Sequence, residues 1–221
     1  MSGSMRVLAF AASVRKGSLN RRLLELGVSL AREAGAEVDV AEFRQFEMPM
    51  YDGDADREEG LPPGGRELAS RLQAADALLL AAPEYNYSIA GTLKNAIDWV
   101  SRVRPMPWRG KSIYLMSAAP SPMGGVRGLW QTRIPLEGCG ALVFPDMFAL
   151  AHADKAFAPD GTLHDTPLME RLRKDIAGFV RLAEAVAPLC GGHATAPAPV
   201  RRQVAEALEN ETALQPQARR Q

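Results

Sequence analysis

Cysteine is almost absent from this 221-residue chain. The two present, Cys139 and Cys190, form neither a metal-ligand spacing nor a C-x-x-C pair. A zinc ribbon, a thioredoxin-type site and a disulfide scaffold are thereby excluded, and a reducing, cytoplasmic setting is expected. Net charge is absent as well: 26 basic residues balance 26 acidic ones. The electrostatic footprint of a nucleic-acid or anionic-membrane binder is therefore missing, and neither partner is expected. No apolar run reaches the roughly 18 residues of a membrane span. The opening Met1-Ser2-Gly3-Ser4-Met5 lacks the apolar stretch of a secretion signal, and residues 1–4 read as a disordered N-terminus. The three histidines, His152, His164 and His193, share no ligand spacing, so no metal site is expected. What is present is ordinary globular usage, 47% hydrophobic and 24% charged, in a chain long enough for one domain with a well-buried core.

Strand and helix signals alternate along that chain. Val7 to Ala11 is a short apolar strand, and Leu23, Leu26, Gly27, Leu30 and Ala34 then share one helical face, with Gly35 as the stop. Glu37 to Ala41 alternates like a strand towards the sheet edge. Residues 44–65, with three prolines and several acids, read as a long surface loop. A short helix over Glu67 to Ala75 feeds a buried apolar strand, Ala77 to Ala82. Leu93, Ala96, Ile97 and Val100 keep i, i+3, i+4, i+7 spacing. Lys111 to Ser117 is the fourth strand, a helix follows from Gly125 to Glu137, and Ala141 to Phe144 is the fifth strand. Leu168, Leu172, Ile176, Phe179, Val180 and Ala183 mark a closing helix. Five βα units imply an α/β fold, a doubly wound three-layer sandwich with a parallel sheet of order 2-1-3-4-5. One domain is expected over residues 5–189, followed by a Gly/Ala/Pro-rich linker and tail over 190–221.

Three loops carry chemistry. Residues 83–87, Pro83-Glu84-Tyr85-Asn86-Tyr87, leave the carboxyl end of the third strand, where an open α/β sheet binds its ligand. Two tyrosines and an asparagine offer a planar heterocycle stacking surface and hydrogen bonds. After the first strand, Ser13, Arg15, Ser18 and Asn20 surround the start of a helix, whose free N–H groups near Leu19 and positive dipole end favour an anion. Ser18 equally suits a plain helix cap with Arg15 and Lys16 solvated. The loop lacks the G-x-G-x-x-G and Gly-Lys-Ser/Thr patterns, which excludes dinucleotide and P-loop readings. After the fourth strand, Ser117 to Gly125 ends in adjacent glycines, Gly124 and Gly125, that let backbone approach a ligand edge, or that simply turn the chain. In a 2-1-3-4-5 sheet these three carboxyl ends are neighbours. An anion cradle, an aromatic floor and a glycine edge together suit one phosphate joined to a flat ring, as in FMN.

The same segments resemble the NADPH-dependent FMN reductase family of flavodoxin-like proteins. Its Gly-Ser-x-Arg-x-x-Ser-x-Asn pattern stands here as residues 12–20 with Ala12 in place of glycine. Its Pro-Glu-Tyr-Asn motif runs almost complete from Pro83 to Trp99 with Ala90 in place of proline, and its Gly-Gly-x-Arg is Gly124 to Arg127. The resemblance covers roughly residues 5–188. It implies that Ser13, Arg15, Ser18, Leu19 and Asn20 surround the FMN phosphate, and that Pro83, Glu84, Tyr85, Asn86 and Tyr87 border the ring and ribityl chain. Ser117, Gly124 and Gly125 would approach the pyrimidine side.

The implied reaction is hydride transfer from NADPH, or NADH, to flavin N5. Onward transfer would then reach a small acceptor: a quinone, free flavin, azo dye or metal oxyanion. The flavin carries that chemistry, so no acid–base residue is expected, and Lys94, Asn95 and Asp98 are read as helix and interface residues. The resemblance also implies a homodimer or homotetramer; Trp99, Trp108 and Trp130, large apolar groups near helix ends, are read as candidates for a subunit interface. A flavodoxin-like electron carrier, or a flavin-binding module without turnover, is the other class; zero net charge disfavours a carrier, which steers partners with a charged face.

Overall fold

Strands β1 (Arg6–Ala11), β2 (Glu37–Ala41), β3 (Ala77–Ala81) and β6 (Ser112–Ala118) form the body of a parallel sheet. β1 lies between β2 and β3, with Val7 opposite Val38 on one side and Ala77 on the other. β3 pairs in turn with β6, Leu79 opposite Tyr114. In this computed structural model residues 4–191 are described. The expectations for residues 1–3, for the linker and tail beyond Gly191 and for His193 lie outside the described residues.

The fifth strand differs from expectation. It is split into β7 (Leu142–Val143), paired with the start of β6, and β8 (Phe148–Leu150), paired with its end. Phe144, Pro145, Asp146 and Met147 occupy the length that Tyr114 and Leu115 span on β6, because Pro145 has no N–H to give the ladder. Counted as one interrupted strand, β7/β8 completes the expected 2-1-3-4-5 order.

Side chains alternate across the sheet and feed two cores. Val7, Ala9, Leu79 and Met116 face the layer of α1 (Leu19–Glu33) and α7 (Thr166–Gly191). Leu8, Phe10, Leu78 and Leu80 face the layer of α3 (Pro63–Ala74), α4 (Gly91–Val100) and α5 (Val126–Gly138). Such strands are buried on both faces, which is why they read as continuous apolar runs. Each fully buried leucine contributes roughly 1.5–3 kcal/mol. In α4 the expected stripe Leu93, Ala96, Ile97 and Val100 is wholly buried.

The expected surface loop over residues 44–65 is in fact largely structured. It holds a 3-10 turn, Phe43–Phe46, the helix α2 (Gly53–Glu59) and the start of α3. α2 buries none of its residues and so has no apolar period to read; Asp52 starts it by accepting from the Asp54 N–H at 2.8 Å. Asn95 and Trp99 clasp this segment to α4. Both donate to the Pro49 carbonyl at 2.8 Å, and Asn95 Oδ1 accepts from the Tyr51 N–H at 2.8 Å. Trp99 and Trp108 are therefore core residues, whereas Trp130 is exposed. α7 continues through Pro188 past the expected boundary at residue 189. On its inner face the Tyr114 hydroxyl donates to Asp175 at 3.5 Å, and burial raises the pKa of both groups above their ordinary values, making each a weaker acid. Among the described residues no helix is long and apolar enough to cross a membrane.

Candidate functional site

The first loop is built to expose helix amides. Beyond β1, the Ser13 N–H donates to the Ala11 carbonyl at 2.7 Å and Ser13 Oγ accepts from the Arg15 N–H at 3.4 Å. Gly17 then turns with φ +67, where a side chain would be strained. Ser18 caps α1, its Oγ accepting from the Arg21 N–H at 3.4 Å. Among the described residues, no hydrogen bond uses the N–H groups of Gly17, Ser18, Leu19 or Asn20. No first-turn acid quenches the dipole either. The end of α1 thus presents unused amides and its positive dipole end, with the exposed guanidinium of Arg15 beside it. Arg44 braces the loop from outside, donating to the Val14 carbonyl at 2.7 Å, and Arg21 pairs with Glu42.

Asn20 has a more internal position than the other polar residues of the cradle. Its buried amide donates to the Ala118 carbonyl and accepts from the Ala118 N–H, both at 3.0 Å. It thereby ties the start of α1 to the carboxyl end of β6, fixing two of the three loops relative to each other.

The aromatic segment is a hairpin rather than a loop. β4 (Glu84–Tyr85) pairs antiparallel with β5 (Ser88–Ile89), Tyr85 opposite Ser88. Asn86 and Tyr87 make the two-residue turn, with φ +49 and +65. Ala90, the departure from proline, has φ −61, which is proline's own angle, so the helix entrance keeps its shape.

Glu84 fastens this hairpin to α5. Its carboxylate accepts from the Gly128 N–H at 2.9 Å and from Arg127 Nε at 3.1 Å, with Arg127 Nη2 at 3.0 Å. Gly125, in the N-cap position of α5, has no side chain to cap with, and Glu84 does so from another element. The fit is close: a Cβ on Gly128 would come within 2.9 Å of Glu84 Cα. The guanidinium of Arg127 in turn lies over the Tyr87 ring, 4.1 Å from its centroid.

The glycine pair is required by packing more than by an open ligand edge. A Cβ on Gly124 would meet Ala151 N at 2.8 Å, and one on Gly125 would overlap Ser117 Oγ. The Gly124 N–H is spent on the Ser121 carbonyl at 3.2 Å. Ser117 Oγ, by contrast, is fully buried and has no partner among the described residues.

Eight of the thirteen anticipated residues meet around one concavity of about 210 Å³. From the first loop come Ser13, Arg15, Ser18, Leu19 and Asn20; from the hairpin come Pro83, Glu84 and Tyr85. Asn86 and Tyr87 stand beyond it at the hairpin tip, and Ser117, Gly124 and Gly125 lie behind Glu84. Ala118, Ala119, Pro120 and Asp154 complete the wall. Nothing in the sequence marks Asp154. It is placed by His152, whose φ of +46 turns the chain, and by the Ala153 N–H donating to the Ala119 carbonyl at 3.1 Å. A comparable hollow of about 240 Å³, around Gln73, Asp76 and Lys111, sits at the amino ends of the strands. Ligands of open α/β sheets bind at the carboxyl ends, so the first concavity is the candidate site.

Three loops converge on that switch point, and the family pattern described as NADPH-dependent FMN reductase matches residues 5–155, spanning all three. The chain belongs to this family. A quinone reductase of Escherichia coli is 31% identical over 182 residues, covering 81% of this chain and 95% of that protein. An NAD(P)H-dependent FMN reductase of Pseudomonas aeruginosa is 34% identical over 183 residues, covering 80% and 94%. Among solved structures, a flavoenzyme NAD(P)H:(acceptor) oxidoreductase from Paracoccus denitrificans superposes with a TM-score of 0.71 at 28% identity, covering 82% of this chain and 98% of that one. Membership in the FMN reductase family thus rests on the whole domain and not on the middle motif alone.

Proposed function

We propose that residues 5–189 form an FMN-binding domain that oxidises NADPH, or NADH, and passes the electrons to a small acceptor of the quinone or flavin class. The observation that carries this reading is the set of unused amides at the start of α1 beside Arg15, at the switch point of a family member. The donor set fits a phosphomonoester: backbone N–H groups of Gly17 to Asn20, the Ser13 and Ser18 hydroxyls and one free guanidinium. One cradle joined to one aromatic edge fits a mononucleotide flavin. The buried, unpartnered Ser117 hydroxyl adds a donor behind the hairpin that a polar ring edge would satisfy.

FMN held there would supply the hydride-transfer chemistry between nicotinamide and acceptor. The chain's own residues bind, orient and shield. Ser13, Arg15, Ser18 and the amides at Leu19 and Asn20 hold the phosphate; Pro83 to Tyr87 border the ring and ribityl chain; Gly124 and Gly125 keep side chains out of the turn behind them. Glu84 is held by Arg127 and Gly128 and acts as a strut, which agrees with a reaction that needs no protein acid or base.

Trp130 and Ile134, 52% and 62% exposed and one turn apart on α5, form an apolar face suited to a second copy of the chain, as a homodimer or homotetramer in the cytoplasm. An absorbance spectrum of purified protein followed by anaerobic mixing with NADPH tests the function. Bound flavin that bleaches and is reoxidised by a quinone is expected. Flavin that stays oxidised would favour the carrier reading, and protein free of flavin would sink both.

A further inference from the structure

Lys111 is a half-buried cation that the electron-transfer chemistry does not use. It stands just before β6, at the opposite end of that strand from the candidate site, and lines the hollow of about 240 Å³. Its ammonium donates to the Ala75 carbonyl at 2.5 Å, and among the described residues it has no ion pair. Burial lowers its pKa, which Asp76 opposes and Arg6 reinforces. Asp76 is already claimed by Arg6, through the Arg6 N–H at 3.0 Å and its Nε at 3.6 Å. Arg109 brings a second positive charge to the same lining, its guanidinium beside Gly140. The rest of the lining is largely apolar: Pro105, Met106 and Pro107 from the segment before β6, and Ala187 and Cys190 from α7. These two segments are packed tightly, for a Cβ on Gly110 would come within 2.8 Å of Cys190 Cβ. The Gly110 N–H also donates to the Gly140 carbonyl, and the Leu142 N–H to the Lys111 carbonyl, both at 2.9 Å.

We propose that this hollow is a second ligand site, and that it takes a small monocarboxylate with a compact apolar body. An ammonium carries three donors and Ala75 accepts from one, so Lys111 keeps two for a carboxylate. The body lies against the prolines and Ala187. A volume below the roughly 300 Å³ at which ligand pockets usually begin restricts that body to about one ring. Charge decides between anions. With Asp76 balanced by Arg6, Lys111 and Arg109 leave two positive charges, and the carboxyl end of α3 at Ala74 offsets about half of one. A monoanion matches that balance, whereas a phosphate dianion exceeds it and finds here a helix carboxyl end where it needs an amino end. The site shares no lining residue with the candidate flavin site, so it stands whether or not the flavin reading does.

The test uses the full chain with excess FMN, and para-fluorobenzoate as the probe, followed by fluorine NMR. Expected is a Kd of about 0.1–1 mM, ordinary for a ligand of about ten heavy atoms. The neutral para-fluorobenzamide should bind at least about tenfold more weakly, because it brings no charge to Lys111. Lys111→Met keeps the stem without the charge and should weaken para-fluorobenzoate by a similar factor of about ten. Ala187→Phe fills the hollow and leaves every charge in place; it should weaken the probe at least about fivefold, and it keeps the test open if Lys111→Met does not fold. Saturating probe should also slow acetylation of Lys111 by acetic anhydride, read by mass spectrometry of its peptide, since an adjacent anion holds the ammonium protonated. No binding below about 10 mM, equal affinity for the amide, or unchanged affinity in either folded variant would overturn the site. So would a Lys111 left unprotected at saturation, or displacement of FMN by the probe, since the carboxylate would then lie elsewhere.

Discussion

Replacing Asn20 by alanine separates a structural tie from a phosphate ligand. The Asn20 amide makes two buried hydrogen bonds to Ala118, each 3.0 Å long, between segments 98 residues apart in sequence. Each bond contributes about 0.5–1.5 kcal/mol net, and leaving the buried Ala118 groups without their partner adds a desolvation cost of about 1–3 kcal/mol. The expected loss is therefore about 2–6 kcal/mol, which in a chain of this size lowers the midpoint of thermal unfolding by roughly 4–24 °C. The loss should appear in flavin-stripped protein, because the bonds are made without any ligand. Asn20→Asp should be at least as damaging, since a carboxylate would face the Ala118 carbonyl where the amide now donates. Urea titration and thermal unfolding of both variants, with and without added FMN, give the answer. If flavin-stripped Asn20→Ala lost less than about 0.5 kcal/mol while its FMN affinity fell more than tenfold, the tie would be minor and Asn20 a ligand after all.

Three further perturbations follow from the same geometry. Arg15→Ala combined with Ser18→Ala should purify with little flavin, each lost charge-assisted bond costing about 1.5–3 kcal/mol, and should also unfold earlier by the roughly 1 kcal/mol of a lost helix cap; full flavin content would refute the cradle. Ser117→Ala removes a buried hydroxyl that has no protein partner, so flavin-stripped protein should gain about 1 kcal/mol while the flavin complex weakens; a loss of stability in stripped protein would show that the hydroxyl is satisfied within the chain. Asp175 has its pKa pushed up chiefly by burial, with Asp146 adding to it and Arg171, 3.5 Å away, opposing it. Its contribution to stability is thus present below its unfolded value, near 3.9, and lost as pH rises through the raised folded value, so Asp175→Asn should stabilise at pH 7 and lose that advantage below about pH 4; a gain independent of pH would point to packing instead.

The frame of the fold was legible because it depends on local periods. Runs such as Leu78-Leu79-Leu80 and the Leu93 to Val100 stripe state their burial directly, and polar loops after alternate strands mark the switch point. What escaped lacks such a signature. The hairpin over residues 84–89 turns on Asn86-Tyr87, and a tyrosine with positive φ gives no turn signal of the Asn-Gly kind. α2 has no apolar face, and β8 is separated from β7 by a proline at Pro145 that reads as an end rather than an interruption. Within the site, residue types picked out loops that meet around one concavity but did not show which side chains already have partners within the chain. Asn20, Glu84 and Gly124 look like ligand groups from their composition, whereas Asn20 and Glu84 bond partners 98 and 44 residues away, and the backbone from Ala149 to Ala151 leaves no room for a side chain at residue 124.

That division of labour explains how such a site stays shaped before it is filled. Loops at the carboxyl ends of strands carry many free backbone groups and little packing of their own. Here each is tied by one polar side chain directed at backbone: Asn20 holds the first loop to β6, and Glu84 holds the hairpin to the start of α5. The ties differ in what they leave available. Asn20 caps no helix, so the amides of α1 stay free for an anion. Glu84 consumes the N–H of Gly128 and places a negative charge at the α5 terminus, so the second helix end is no longer open to one. The amino-terminus of α1 thus keeps its amides free, while that of α5 is closed by a carboxylate, and a single phosphate at α1 matches that difference.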